Sequence, residues 1–222
     1  MGSRRRLALF AVAVLIVVID LVVVVARRGD DDGPAGPPAE ALLASYERSR
    51  QATFAADRVF TRTFPDGRSL TYDELLVQAP PDNRLLVGGG AASGRLDGRL
   101  LRCAANPGGG TRCFEGEEAE PWDAEVAAEV ADLGSLVLGP DRAYDVETGP
   151  DDGCFTLLLA VEVLAPPYGE RAVFCYDDAT GAPLRVEIHR TEASDVIEAV
   201  EIRPEVTEAD LRPAELGDLV TG

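Results

Sequence analysis

The sequence predicts an α+β protein, in which one N-terminal transmembrane helix precedes a domain of antiparallel β-strands covered by helices. Three observations carry this. Leu7 to Ala26 form an almost unbroken apolar run between Arg4-Arg5-Arg6 and Arg27-Arg28; twenty residues at about 1.5 Å each give roughly 30 Å, the thickness of a bilayer's hydrocarbon core. After Ala52 the apolar residues alternate with polar ones, as in half-buried strands, except for one later stretch of helical period. Four cysteines, none in a Cys-x-x-Cys pair, have the spacing of disulfides, which persist outside the cytosol.

The N-terminal organisation follows from these. Residues 1–6 form a cytoplasmic stub, 7–26 the membrane span and 27–39 a linker. Residues 40–213 make one extracytoplasmic domain and 214–222 a tail. Arg4, Arg5 and Arg6 outnumber Arg27 and Arg28, so positive-inside counting places the N-terminus in the cytoplasm and the cysteines outside, a single-pass signal anchor. A cleaved signal peptide would end at Val24-Val25-Ala26, but the apolar run exceeds the usual length and Arg27 is a poor residue after a cut. Asp20 lies within the span, either as a hydrogen-bonding group toward a partner helix or as a carboxyl that is protonated or reached by water. Gly29-Asp-Asp-Asp-Gly-Pro-Ala-Gly-Pro-Pro-Ala39 can bury nothing and reads as a semi-stiff linker.

Within the domain, Glu40–Ala52 carries Leu42, Leu43, Tyr46 and Arg50 at helical spacing. Thr53–Phe64 and Arg68–Gln78 flank the turn tripeptide Pro65-Asp66-Gly67 and form a hairpin. Further strands are expected at Asn83–Val87, at Arg95–Ala104 with a bend at Asp97-Gly98, and at Thr111–Glu115. Pro121-Trp122-Asp123 with Glu125 begins a second helix, to residue 138, whose stripe is Trp122, Val126, Val130, Leu133 and Val137. Strands follow at Arg142–Glu147, Cys154–Leu164, Glu170–Tyr176, Pro183–Arg190 and Asp195–Arg203. Residues 155–164 are apolar on both faces apart from Glu162, so that strand is expected to be covered on two sides.

Cys103 and Cys113 lie symmetrically about Gly108 and face each other in a hairpin centred there. Cys154 and Cys175 pair by elimination, although a hairpin centred on Pro166-Pro167 would leave them about four residues out of register. Each closed loop stabilises by about 3 kcal/mol in the entropic model. One histidine and no Cys-x-x-Cys argue against a metal site, and no cofactor is implied.

Charge narrows the partners. The chain has 21 basic and 39 acidic residues; without the five arginines and Asp20 of residues 1–28 it keeps 16 and 38, a net of −22. Such a surface repels nucleic acid and anionic headgroups, and a basic protein partner is compatible with it. Enzymatic readings find little support. Ser69, Ser93, Ser135 and Ser194 lack a Gly-x-Ser-x-Gly elbow and share one imidazole, His189, so a binding role is expected rather than catalysis.

The element order, with Ala79-Pro-Pro-Asp-Asn-Arg84, Leu96-Asp-Gly-Arg-Leu-Leu101, Asp178-Ala-Thr-Gly-Ala-Pro-Leu-Arg185 and Val206-Thr-Glu-Ala-Asp-Leu211, resembles the lipoprotein-carrier superfamily over roughly residues 40–213. That resemblance implies a curved antiparallel half-barrel sheet plugged by helices and holding acyl chains between them. It also covers related extracytoplasmic sensors that bind regulators of sigma factors. The membrane anchor and the cysteines depart from the carriers, and a tethered domain cannot shuttle between membranes. The expected function is binding of an apolar ligand, a lipid or lipoprotein acyl chain. The expected cavity is lined by Trp122, Val126, Val130, Leu133 and Val137 of the helix and Leu157, Leu159 and Val161 of the doubly apolar strand. Two alternatives stand beside it. These residues pack together as a dry core, or the domain is a sensor or regulatory module that recognises a protein through its acidic face without a cavity.

Overall fold

The computed structural model describes residues 36–105 and 111–212, and the backbone of 219–220. The span expected at 7–26 and most of the linker lie outside the described residues; none of the described helices is long and apolar enough to cross a membrane. The fold below is that of the unit Ala35–Leu138 with Arg142–Gly222.

Helix α1 (Pro37–Gln51) starts three residues before the expected Glu40, because Pro37 and Pro38 occupy its first turn, where the missing N–H would be unpaired anyway. Six strands follow as a meander: β1 (Phe54–Thr63), β2 (Ser69–Ala79), β3 (Asn83–Gly88), β4 (Ala91–Leu96), β5 (Arg99–Ala105) and β6 (Thr111–Glu118). Helix α2 (Trp122–Val137) then leads to a second meander of β7 (Tyr144–Thr148), β8 (Cys154–Leu159), β9 (Arg171–Tyr176), β10 (Pro183–His189) and β11 (Ser194–Arg203). A short helix α3 (Glu208–Leu211), held by a Thr207/Asp210 capping box, and the two-residue strand β12 (Leu219–Val220) close the chain.

Among the described residues all strands join one 12-stranded sheet in the order β12-β6-β5-β4-β3-β2-β1-β11-β10-β9-β8-β7. Pairing is antiparallel except at β12–β6, and β1 against β11 welds the two meanders together. The sheet is curved and unclosed. Both disulfides have the expected partners, Cys103–Cys113 across β5–β6 and Cys154–Cys175 across β8–β9, each in direct register.

Three expectations are corrected. The segment expected as one bent strand at 95–104 is a full reversal: Asp97 (φ 50°) and Gly98 (φ 75°) both take positive φ, which makes the two-residue turn that matches strand twist. Cys154 and Cys175 need no register slip, because β8 and β9 are joined by a wide irregular loop rather than a tight turn at Pro166-Pro167. The doubly apolar strand ends at Leu159 instead of Leu164, since its partners run out: Leu159 pairs with Tyr144, the first residue of β7, and Leu158 with Arg171, the first of β9. Val161 is consequently 47% exposed in a loop and lines no covered interior.

Candidate functional site

Side chains alternate between the two faces of a strand, and directly paired residues share a face, so the registers sort the sheet. Gln78 of β2 donates to the carbonyls of Ser49 (2.6 Å) and Ala52 (2.8 Å), where α1 ends, and thereby marks the helix-bearing face. Through the pairings Gln78–Arg84–Arg95 and Leu76–Leu86–Ser93 the same face carries Arg84, Arg95 and Leu86, and onward Leu100, Arg102 and Phe114. Toward the other meander it carries Phe60, Ile197, Val186, Phe174 and Phe155.

At the β7–β10 end this face is closed. Ala39 and Leu42 of α1, Leu133 and Val137 of α2, and Tyr144, Phe155, Leu157, Ala172 and Tyr176 of the sheet form one buried cluster, with Leu159 packed at its margin. Tyr144 is the largest fully buried side chain among the described residues; its hydroxyl donates to Gly169 O (3.1 Å) and accepts the Tyr168 N–H (3.0 Å). Burial pushes the Tyr176 phenol far above its ordinary range.

At the first turns of α2 the contact is ionic. Arg50, 3% exposed, donates to Gln78 Oε1 (3.0 Å) and Glu125 Oε1 (2.8 Å), and pairs through Nε with Glu129. Arg95, 5% exposed, donates to Glu125 Oε2 (2.6 Å) and Pro81 O (3.1 Å). Both guanidiniums lie over the Trp122 ring, at 4.5 and 5.2 Å from its centroid, within cation–π range. Tyr46 donates to Glu129 (3.0 Å), and burial, aided by that carboxylate, drives its pKa well above the usual phenol value. This cluster ties α1, α2 and the first meander together. Arg84 beside it has no ion pair among the described residues, and its Nε is buried without a partner.

The β3–β6 end of the same face is open. Leu100 and Phe114 are 50% and 53% exposed, and Leu86 is partly so. Tyr72, Glu74, Leu86, Gly88, Ala91, Ser93, Arg102 and Ala104 line a groove here of about 360 Å³, within the range of small-ligand sites. Phe60 stacks on Tyr72 (4.8 Å) beside it, and the buried pair Arg58–Glu74 (2.7 Å) lies on this face between the groove and β11. Burial lowers the Arg58 pKa from its ordinary value, and Glu74 opposes that shift. The opposite face of the same strands is covered: Leu85, Val87, Leu96, Leu101, Cys103 and Cys113 form a cluster against which Leu211 of α3 packs.

The predicted lining residues are thus divided. Leu133, Val137 and Leu157 meet in the packed cluster and Leu159 borders it; Val126 is buried and Val130 partly buried on the same helix; Trp122 sits among arginines; Val161 lies outside. The residues around the groove, Leu86, Leu100, Arg102 and Phe114, were not anticipated, because alternation in a strand does not say which face a helix covers. Arg50 did leave a signal, as a charge on the otherwise apolar stripe of Leu42, Leu43 and Tyr46.

No protein-family model and no curated protein matches the chain. Among solved structures it is similar to the Pseudomonas aeruginosa MucA/MucB complex, at 14% identity over 84% of this chain and 64% of that chain, with a TM-score of 0.44. A LolA superfamily protein from Nitrosomonas europaea is 9% identical, with 79% of this chain and 97% of that chain covered and a TM-score of 0.33. LprF from Mycobacterium bovis is 14% identical, with 79% and 97% covered and a TM-score of 0.32. The chain therefore spans less than two thirds of the MucB chain. These neighbours are half-barrel folds of the lipoprotein-carrier type.

Proposed function

We propose that this protein is a membrane-anchored, outward-facing binding domain that holds an apolar ligand, a lipid or acyl chain, on the open half of its helix-bearing face. The observation that carries this is the exposure of Leu100 and Phe114 beside a groove of about 360 Å³, on the face that α1 and α2 seal elsewhere. Coverage has a simple geometric limit. Twelve strands at about 4.8 Å spacing span roughly 50 Å, whereas a helix of 15 or 16 residues is about 24 Å long. Two such helices lying side by side leave part of the sheet bare, and apolar residues on the bare part favour a partner that removes them from water by about 25 cal/mol per Å².

Arg102 lines this groove and Arg112 lies 5.3 Å from the Phe114 ring. In a chain of net charge −18, these cations suit an amphiphile whose head is anionic. The apolar run 7–26 supplies the anchor and the two disulfides fit an oxidising compartment. In this reading the groove binds its ligand and performs no chemistry on it.

Photolabelling tests the assignment. Full-length protein in nanodiscs is irradiated with a diazirine fatty acid, and labelled peptides are mapped by mass spectrometry. Label on β3, β5 and β6 that disappears in the Leu100→Asp/Phe114→Asp variant is expected. Label confined to residues 7–26, or unchanged in the variant, rejects this site.

A further inference from the structure

Beyond Leu159 the chain runs Ala-Val-Glu-Val-Leu-Ala-Pro-Pro167, and Val161, Val163 and Leu164 are 47%, 38% and 98% exposed. Burying a Val or Leu side chain stabilises by about 1.5–3 kcal/mol, so three such residues left in water on one loop ask for a cause. The loop is not loose at its base. Tyr144 binds both Tyr168 N–H and Gly169 O, Gly169 N–H donates to Pro166 O (3.0 Å), and the Tyr168 ring meets Phe174 edge-on at 5.3 Å. Gly169 has φ 67°, and a Cβ there would stand 2.1 Å from His189 O, so the return to β9 is tightly held against β10. The result is a tip of Val161, Val163 and Leu164, with the exposed Glu162 between them, on a rigid stem.

Its position is informative. Helices α1 and α2 run antiparallel: Arg50 meets Glu125 and Glu129, Tyr46 meets Glu129, and Leu43 lies beside Gly134. The start of α1 therefore lies at the end of α2, and Ala39, Val137, Ala143 and Tyr144 share one cluster. Ala160 N–H donates to Ala143 O (2.9 Å), at the root of the loop. The far end of α1 meets Gly181, in the turn at the opposite end of β9. The chain preceding Pro37 thus joins the domain at the end that presents Val161–Leu164.

We infer that this loop docks on the lipid surface beside the anchor, its apolar tip entering the headgroup boundary. The inference rests on the anchor proposed above. Residues 27–36 can extend at most about 33–36 Å, so they hold the loop's end of the domain within reach of the bilayer. Glu162 in the loop and the chain's net charge of −18 disfavour anionic headgroups at this surface, so the contact is apolar and works on zwitterionic lipid.

The test uses full-length Leu164→Trp protein in phosphatidylcholine proteoliposomes, with and without brominated acyl chains. Trp122, the one native tryptophan, is 4% exposed and gives a background common to all variants. Val200→Trp, at a position 72% exposed on β11, is the comparison. Blue-shifted emission from Leu164→Trp that brominated lipid quenches and aqueous iodide does not, with the reverse for Val200→Trp, is expected. Emission open to iodide and indifferent to brominated lipid, in protein that floats with the vesicles, overturns the docking alone. Protection from both quenchers points to a protein contact and also overturns it. Protein that fails to float after alkaline extraction overturns the anchor, and the docking with it.

Discussion

The two ends of the helix-bearing face carry similar residues and meet different fates. At the β7–β10 end Tyr144, Phe155 and Leu157 are sealed beneath both helices; at the β3–β6 end Leu100 and Phe114 stand half in water. Hydrophobicity does not separate the two sets. Helix reach does: α2 meets β4 through its first turn, where Trp122 and Glu125 meet Arg95 by stacking and ion pairing. The closed end is thus expected to carry most of the stability of this face, and the open end is the half to which the proposed ligand is assigned. Substitutions should separate the two roles.

The largest effect is expected at the closed end. Tyr144→Ala removes a fully buried ring and leaves Tyr168 N–H without its acceptor, which should cost about 4 kcal/mol in urea denaturation. A loss below about 1 kcal/mol would mean that this cluster is not the stabilising core. Next is the ionic boundary. Among the described residues Arg50→Met leaves Glu129 with only the Tyr46 hydroxyl and Glu125 with only Arg95, and since each carboxylate is 33% exposed, the cost should approach but not exceed about 3 kcal/mol. If the helices are instead held by apolar contact alone, the variant should be neutral.

The disulfides compare the two meanders directly. Replacing Cys103 and Cys113 by alanine opens a sequence separation of 10, and the Cys154–Cys175 pair one of 21. Each should cost about 3 kcal/mol, the second slightly more. Unfolding midpoints measured for each double variant would show whether the open end tolerates its loss better.

A smaller effect is pH-dependent. Asp195 accepts hydrogen bonds from Arg62 (2.6 and 2.7 Å) and Arg190 (2.9 Å), and chiefly the Arg62 bonds hold its carboxyl below the ordinary value. Thr180 does the same for Asp177. A lowered folded-state pKa adds stability that is whole above the unfolded value of about 3.9 and drains away as pH falls through the folded one. The urea midpoint should therefore drop below about pH 4, and Asp195→Asn should flatten that drop. The smallest change belongs to the open end: Leu100→Ala and Phe114→Ala should leave stability within about 0.5 kcal/mol, while removing the photolabel. A large loss of stability there would make these residues core, not site.

Local chemistry accounts for how much of this was legible. Pro65-Asp66-Gly67 dictates the first hairpin, the proline-and-acid start announces α2, and cysteines at symmetric positions about a glycine loop face each other. The reversal at Asp97-Gly98 is local and was read as a bend; the other misreadings fall where a distant partner decides. Residues 160–164 continue the apolar run with Glu162 their only charge, yet leave the sheet because β7 starts at Tyr144 and β9 at Arg171. Trp122 fits an apolar stripe by spacing, yet its neighbours are Arg50 and Arg95, 72 and 27 positions away.

By itself the sequence determined helices α1 and α2, most of the strands, the cysteine pairs and the acidic charge, since turn residues, period and charge act over a few positions. Only the tertiary structure decided which face of each strand the helices cover and how far along it, because alternation marks two faces without ranking them. That choice depends on the order of strands in the sheet and on the finite length of α1 and α2. It is what leaves Leu100 and Phe114 in the open.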